Sequence, residues 1–556
     1  MKAWDFLDEY RGMFFTGTWP TLPEMFRITV NRYGERPCFT IYEPERISLT
    51  YREALARIEA VARYLHSNGI GKGDTVAVTG KNSPEWTVAY LAVLWSGAIV
   101  VPIDYQLKIE EIDLLLKTAK VKMLFVDEEK QSRYAENPGT LKGIISLKAG
   151  VGNYIYNLDG PYAPLPQAHE TDCAVILFTS GTTGTPKGVM LTHKNLVSDC
   201  YLAQGNLTLY PTDVFYALLP IHHAYTMLAV FIEAISVGAE VVFGKRMVTK
   251  AILKDLKEAQ ITMFLGVPIL FNKLLTGIMR GVKAKGPVVY GIICAMLWVS
   301  GLIKHIFKKN PGKVLFAAIL NQASLSTLRI CICGGGPLAP SVFRKYNQLG
   351  LDFIQGYGLT ETSPIINLNP VEHYKETSVG KIVPGVDMKV LNPDERGVGE
   401  IIVKGPMVMQ GYFEQPEETA AAFTPDGYLK TGDLGYLDNE GYLYLTGRAK
   451  NLIVTDGGKN VYPEEIENEF QLYEEIDQIL VRGFVSDKKM KIEAIEALVY
   501  PAPEVFKNTD EAKTRINAII AEVNQKLLPY QRIDRVTVLD QPMEMTTTKK
   551  IKRDAV

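Results

Sequence analysis

Between residues 178 and 193 the chain reads Phe178-Thr179-Ser180-Gly181-Thr182-Thr183-Gly184-Thr185-Pro186-Lys187-Gly188-Val189-Met190-Leu191-Thr192-His193, a hydroxyl- and glycine-rich loop closed by a lysine. Those residue types suit a phosphate. Glycines let backbone N–H groups approach its oxygens, the hydroxyls of Ser180, Thr182 and Thr183 donate, and Lys187 adds charge. The apolar run 174–178 predicts a buried strand, so the loop would leave a strand's carboxyl end, where open α/β sheets hold ligands. The spacing is not that of a Walker A loop, which needs Gly-x-x-x-x-Gly-Lys-Ser/Thr. A flexible Gly/Ser/Thr linker would share the composition.

Other stretches carry chemistry of their own. Gln355-Gly356-Tyr357-Gly358-Leu359-Thr360-Glu361-Thr362 joins an aromatic that can stack on a purine, a hydroxyl that can donate to phosphate and a carboxylate that can hold Mg²⁺. Asp433, in Thr431-Gly432-Asp433-Leu434, offers two oxygens that could accept both ribose hydroxyl protons, although Gly-Asp is also ordinary turn chemistry. Gly334, Gly335 and Gly336 follow an apolar run and let backbone lie flat against a planar group, without dinucleotide-fingerprint spacing. The adjacent His222 and His223 could be metal ligands, surface residues or substrate-site residues, and no further ligand stands at metal-binding spacing. Glycine recurs in Asp456-Gly457-Gly458-Lys459, readable as a hairpin connection between Ile453 and Val461, and the chain nears its end with Thr546-Thr547-Thr548-Lys549-Lys550-Ile551-Lys552-Arg553. A basic tail without a role would look the same.

In this order the motifs resemble the adenylate-forming superfamily, which contains acyl-CoA synthetases, luciferases and the adenylation domains of peptide synthetases. The resemblance extends from about Tyr51 to Arg553. It implies that Thr179, Ser180, Gly181, Thr182, Thr183, Gly184 and Lys187 handle the phosphates of ATP. His223 would stand beside the acyl carboxylate and α-phosphate, with Ala224 where the family usually has glycine. Gly334, Gly335 and Gly336 would line the adenine pocket and acyl channel, and Gln355, Gly356, Tyr357 and Gly358 the nucleotide. Thr360 would meet phosphate and Glu361 would hold Mg²⁺. Asp433 and Arg448 would hold the ribose, Lys450 would be the hinge, and the 456–461 loop would help shape a pantetheine tunnel. Lys550 matches the catalytic lysine; Lys549, standing where the family has glycine, is the alternative.

The implied activity has two steps. A carboxylate attacks the α-phosphorus of ATP to give acyl-adenylate and pyrophosphate, then a thiol expels AMP. CoA is the expected acceptor, and the alternatives are a ligase that loads an acyl carrier protein and a non-catalytic nucleotide-binding protein associated with a membrane. The insertion between Leu275 and Leu320 resembles the extra segment of long-chain fatty acyl-CoA synthetases, so the expected acid is a medium- to long-chain fatty acid.

Elements must bring these distant residues together. At 556 residues the chain predicts three or four structural units. Short apolar runs such as Thr75-Val76-Ala77-Val78, Met123-Leu124-Phe125-Val126 and Val241-Val242-Phe243 alternate with helical patterns such as 85–95, which predicts parallel sheets. Strand-and-turn patterning predicts a β-rich unit over about 370–447. The expected class is therefore α/β: a large N-terminal domain, 1–447, with two parallel-type sheets and the β-rich part, then a small mobile α+β domain, 448–556.

Acidic and basic residues nearly cancel at a net charge of -2, so charge gives no reason to expect nucleic acid as a partner. Six cysteines without zinc spacing suit a reducing compartment, and Cys331 and Cys333, two apart in an apolar run, suit one face of a buried strand. The amino terminus lacks a basic start followed by an apolar stretch, so no secretory signal is expected and a cytoplasmic location fits. One segment departs from the soluble pattern: residues 287–303, PVVYGIICAMLWVSGLI, are uncharged and flanked by lysines. Two readings stand, peripheral docking on the inner face of a membrane and a buried or substrate-tunnel helix; at 17 residues the run is short for spanning.

Overall fold

The computed structural model describes residues 2–179, 186–455, 459–487, 492–506, 508–546 and 551–553. Local chemistry sets many helix starts. Thr21 and Glu24 form a reciprocal capping box on helix Leu22–Tyr33, and Thr50 and Glu53 do so on Tyr51–Ser67. Proline opens Pro84–Trp95, Pro268–Lys283 and Pro287–Phe307, where its missing N–H has no partner to lose.

Two large sheets carry the fold. The first has seven strands, ordered Gly411–Tyr412, Lys187–Thr192, Cys173–Thr179, Ile99–Ile103, Thr75–Thr79, Met123–Val126 and Gly143–Ser146. The last five are parallel. The second sheet has thirteen strands. Its parallel part includes Pro37–Ile41, Glu240–Phe243, Val214–Ala217, Met263–Gly266, Ile330–Cys333 and Asp352–Gly358. Antiparallel strands then extend it through Ile365–Leu368 and Gly380–Ile382 to the hairpin Leu429–Leu437 and Tyr442–Arg448. The strands of the β-rich stretch thus continue the second sheet rather than forming one of their own, while Gly411–Tyr412 crosses to the first.

Strands buried on both faces are apolar, as Met123–Val126 shows, and neighbouring residues feed different cores. Ile330 and Ile332 pack into the largest cluster; Cys331 and Cys333 pack into a second, with Phe343, Tyr346 and Phe353. The two cysteines therefore share one buried strand face.

The terminal part is α+β: Ile476–Asp487, Ile492–Pro501 and Arg535–Val538 form a three-stranded sheet packed by helix Thr509–Asn524. Ile516, Ile519, Ile520 and Val523 close its core with Ile453 and Val461. It touches the larger part at the glycine-rich loop, where Gln471 accepts from Ala339 N at 2.8 Å and donates to Pro337 O at 3.0 Å.

The apolar segment forms helix Pro287–Phe307, and only 17% of its most apolar stretch is buried. The structure therefore does not show the buried or tunnel helix that was one of its two readings.

Candidate active site

The strands on either side of the phosphate-type loop pair with each other. Strand Cys173–Thr179 pairs antiparallel with Lys187–Thr192, and Thr179 stands opposite Lys187. Strand Cys173–Thr179 is parallel to Ile99–Ile103 and the loop follows its carboxyl end, as expected; Lys187–Thr192 returns antiparallel beside it, burying Val189, Leu191 and Thr192 against the same sheet. Ser180, Gly181, Thr182, Thr183 and Gly184 lie outside the described residues. Lys187 Nζ pairs with Glu418 from helix Pro416–Ala422 and stands 5.0 Å from the centre of the Tyr412 ring. Its charge is thus already met by the protein.

Tyr412 links that lysine to the carboxylate expected to hold magnesium: its hydroxyl donates to Glu361 Oε1 at 3.0 Å. Burial and the neighbouring Glu361 push the Tyr412 hydroxyl pKa up, so it stays a donor. Thr360 and Glu361 occupy a short helical turn, Thr360–Thr362, after strand Asp352–Gly358. Buried groups hold this turn. Glu361 O accepts from Met409 N at 2.9 Å, Thr362 Oγ1 donates to Pro364 O at 2.8 Å, and Asp199 Oδ2 accepts from Ile365 N at 2.9 Å. Asn195 fixes the same side by donating to Pro406 O and Val408 O at 2.7 and 2.9 Å.

Tyr357, Asp433 and Arg448, scattered over 92 positions in sequence, meet in space. Tyr357 Oη donates to Asp433 Oδ2 at 2.5 Å, and Arg448 Nε stands 2.7 Å from Asp433 Oδ1. Asp433 and Arg448 face each other across the hairpin. Burial raises the Tyr357 pKa well above that of a free phenol, keeping the proton that Asp433 accepts.

Gly334, Gly335 and Gly336 leave strand Ile330–Cys333 beside Gln355, which pairs with Cys333 on the neighbouring strand. A Cβ at Gly334 would come 2.9 Å from the Tyr225 ring, and one at Gly358 would fall 1.5 Å from Pro364 O, so both positions require glycine. Tyr225 Oη donates to Ile332 O at 3.1 Å, which ties the histidine loop to this strand end. Asn82 ties the loop to the first sheet: it donates to Ala217 O and Leu219 O and accepts from Ile221 N, all within 3.0 Å.

His223 caps the turn Ala224–Thr226, its ring centre 4.2 Å from that of His222. Asp104, at the end of strand Ile99–Ile103, brings a carboxylate 3.6 Å from His222 Nε2. Sequence reading missed Asp104, Tyr412 and Glu418. Only Asp104's place just after an apolar strand could have pointed to it.

Lys450 is exposed in the turn Ala449–Asn451 between the two parts. Lys549 and Lys550 lie outside the described residues, as do Asp456, Gly457 and Gly458. The flanks of the lysine pair are held: Met545 bridges Ile551, and Arg553 grips both Glu467 oxygens at 2.6 Å.

The AMP-binding enzyme family matches residues 26–413. The chain belongs to the AMP-binding enzyme family. A feruloyl-CoA synthase of Amycolatopsis sp is 29% identical over 493 residues, covering 87% of this chain and 88% of its own. The long-chain-fatty-acid–CoA ligase of Bacillus subtilis is 28% identical over 555 residues, covering 92% and 90%. Among solved structures, ATP-bound MatB from Rhodopseudomonas palustris superposes with a TM-score of 0.76 at 25% identity, covering 96% of this chain and 98% of that one. This AMP-binding enzyme is an adenylate-forming acid–CoA ligase of mixed α/β fold, using ATP, Mg²⁺ and CoA. The residues suit those groups: Glu361 Oε1 is taken by Tyr412 while Oε2 has no protein hydrogen bond among the described residues, and Asp433 presents a carboxylate beside an aromatic ring.

Proposed function

We propose that this ligase activates a medium- to long-chain fatty acid and passes it to CoA. The observation that carries the acid assignment is the Bacillus fatty-acid ligase, similar over nine-tenths of both chains, together with the apolar insertion after Leu275. Such acids partition into bilayers, so the reading includes contact between that insertion and a membrane.

In the first step the acid's carboxylate oxygen attacks the α-phosphorus and pyrophosphate leaves. Asp433 and Arg448 hold the ribose, and Tyr357, fixed by Asp433, offers its ring to adenine. His223 faces the reacting carboxylate and phosphate. Bound Mg²⁺ would be held by Glu361 and would offset charge on the phosphate oxygens. Lys550 adds positive charge at the bridging oxygen. In the second step the thiol of CoA attacks the acyl carbonyl, the C–O bond to AMP breaks, and AMP departs with the electron pair. The steps need different surroundings, and rotation of the terminal part about Lys450 supplies them by withdrawing Lys550.

Similarity to the feruloyl-CoA synthase favours a second reading, an aryl acid at the same site. Purified protein with ATP and Mg²⁺, offered ferulate and saturated acids of increasing length, separates the two: exchange of pyrophosphate into ATP should be greatest with long acids. A maximum with ferulate or at two carbons would overturn the fatty-acid assignment. The acceptor is read by offering CoA and a pantetheinylated carrier protein together; a dominant acyl-carrier product would make this a loading ligase. Absence of exchange with every acid would leave a nucleotide-binding protein without turnover. Lys550→Ala should abolish acid-dependent exchange; intact exchange with failed thiolysis would remove Lys550 from the first step.

A further inference from the structure

We propose that helix Pro287–Phe307 is an interfacial anchor, lying in the plane of an anionic lipid bilayer with one apolar stripe inserted. Val288, Ile292, Ala295, Val299, Leu302 and Ile306 are all exposed, and their spacing of four and three places them on one side of the helix. Trp298 and Phe307 flank the stripe at 64% and 65% exposure, and the next short helix, Gly312–Leu315, adds Val314 at 82%. A contiguous apolar surface of this kind marks a contact site.

The opposite side of the helix is fastened down. Leu297, Ser300 and Lys304 are buried, again three and four apart. Ser300 Oγ donates to Gln348 O at 2.8 Å, and Lys304 Nζ donates to Asn347 Oδ1 and Asp352 Oδ1, both at 2.8 Å. The helix is about 31 Å long, enough to cross a bilayer, but crossing would tear these bonds from their partners. Only an in-plane orientation inserts the stripe while keeping them.

Charge selects the occupant. No Asp or Glu occurs between Glu258 and Asp352, a stretch holding eleven Lys and Arg residues in a chain whose net charge is -2. Lys283 and Lys285 stand exposed at one end of the helix, and Lys308 and Lys309 at the other. Two copies of the helix packed together in either direction would set lysine against lysine, whereas seams between helices use opposite charges at their edges. Anionic headgroups meet the same lysines favourably, each contributing about fivefold to binding at the membrane surface.

The proposal deepens the membrane part of the ligase reading, but vesicle binding is scored without ATP, acid or CoA, so its failure would leave exchange and thioester formation untouched. Full-length protein is sedimented with vesicles of phosphatidylcholine alone and of phosphatidylcholine mixed with phosphatidylglycerol. Wild type should bind the mixed vesicles and lose that binding in high salt. A variant carrying I292S, L302S and I306S, all at exposed positions, should bind at least about tenfold more weakly. One carrying K283Q, K285Q, K308Q and K309Q should lose the preference for phosphatidylglycerol. Both should keep wild-type thermal midpoints and acid-dependent exchange with a soluble short acid. Absence of vesicle binding, undiminished binding by the serine variant, or a wild-type dimer that the serine changes dissolve would each overturn the proposal.

Discussion

Replacing Asp433 with asparagine tests the nucleotide end of the site most directly. The carboxylate accepts from Tyr357 at 2.5 Å and pairs with Arg448 at 2.7 Å, and it is buried. Asparagine preserves the shape and one acceptor oxygen but turns the second position into a donor and removes the charge. Because the Arg448 side chain is 44% exposed, loss of that pair should cost less than about 1 kcal/mol of stability. The cost should fall on ATP instead. A hydrogen bond to a charged acceptor is worth about 1.5–3 kcal/mol, so losing one from the ribose should raise the KM for ATP about 10- to 150-fold. The assay is acid-dependent ATP–pyrophosphate exchange with ATP and with 2′-deoxy-ATP. If Asp433 reads the 2′-hydroxyl, wild type should handle the deoxy nucleotide as poorly as the variant handles ATP, and the two penalties should not add. A KM within about twofold of wild type, or penalties that add fully, would refute the ribose assignment.

Tyr412→Phe removes the hydroxyl that orients Glu361, and should raise the Mg²⁺ concentration for half-maximal exchange about tenfold, read by a magnesium titration. Lys304→Met leaves Asp352 without its buried partner and should lower stability by about 2–4 kcal/mol in urea unfolding, with Lys304→Met/Asp352→Asn regaining part of the loss. His193 is buried with Nδ1 accepting from Leu22 N at 3.2 Å, and burial lowers its pKa to about 4. The unfolded chain then binds the proton more tightly than the folded one. Its contribution is complete above the unfolded value near 6.5 and is lost as pH falls toward 4, in total about 3 kcal/mol. His193→Gln should flatten the thermal midpoint against pH in that window.

What the sequence disclosed is what depends on local pattern. The apolar runs at 75–79, 123–126 and 241–243 are strands because nothing but a sheet interior buries them, and Cys331 and Cys333 share a face because a strand alternates. Tyr357, Asp433 and Arg448 could be matched as motifs, but their direct bonding depends on strand Asp352–Gly358 and the 429–448 hairpin sharing one sheet. The antiparallel return of Lys187–Thr192 was not legible, since an apolar strand looks alike whether its neighbour is parallel or antiparallel. Glu418 and Asp104 were hidden because they reach Lys187 and His222 across 231 and 118 positions of chain. Exposure of the 287–307 helix was equally hidden. A 3.6-residue repeat distinguishes two sides only when their polarity differs, and here the helix is apolar on both sides apart from Ser300, Lys304 and His305.

The pairing of Lys187 with Glu418 makes nucleotide arrival an exchange of anions. A phosphate that takes the lysine must first displace a carboxylate, and the liberated Glu418 then stands near several phosphate charges on the short helix Pro416–Ala422, whose Thr419 Oγ1 accepts from Tyr412 N at 2.9 Å. That helix follows directly on the strand that presents Tyr412 to Glu361. Repulsion on Glu418 would therefore be felt where magnesium sits, and loading of the metal and of the triphosphate would be thermodynamically linked through Tyr412, which stands against both Lys187 and Glu361.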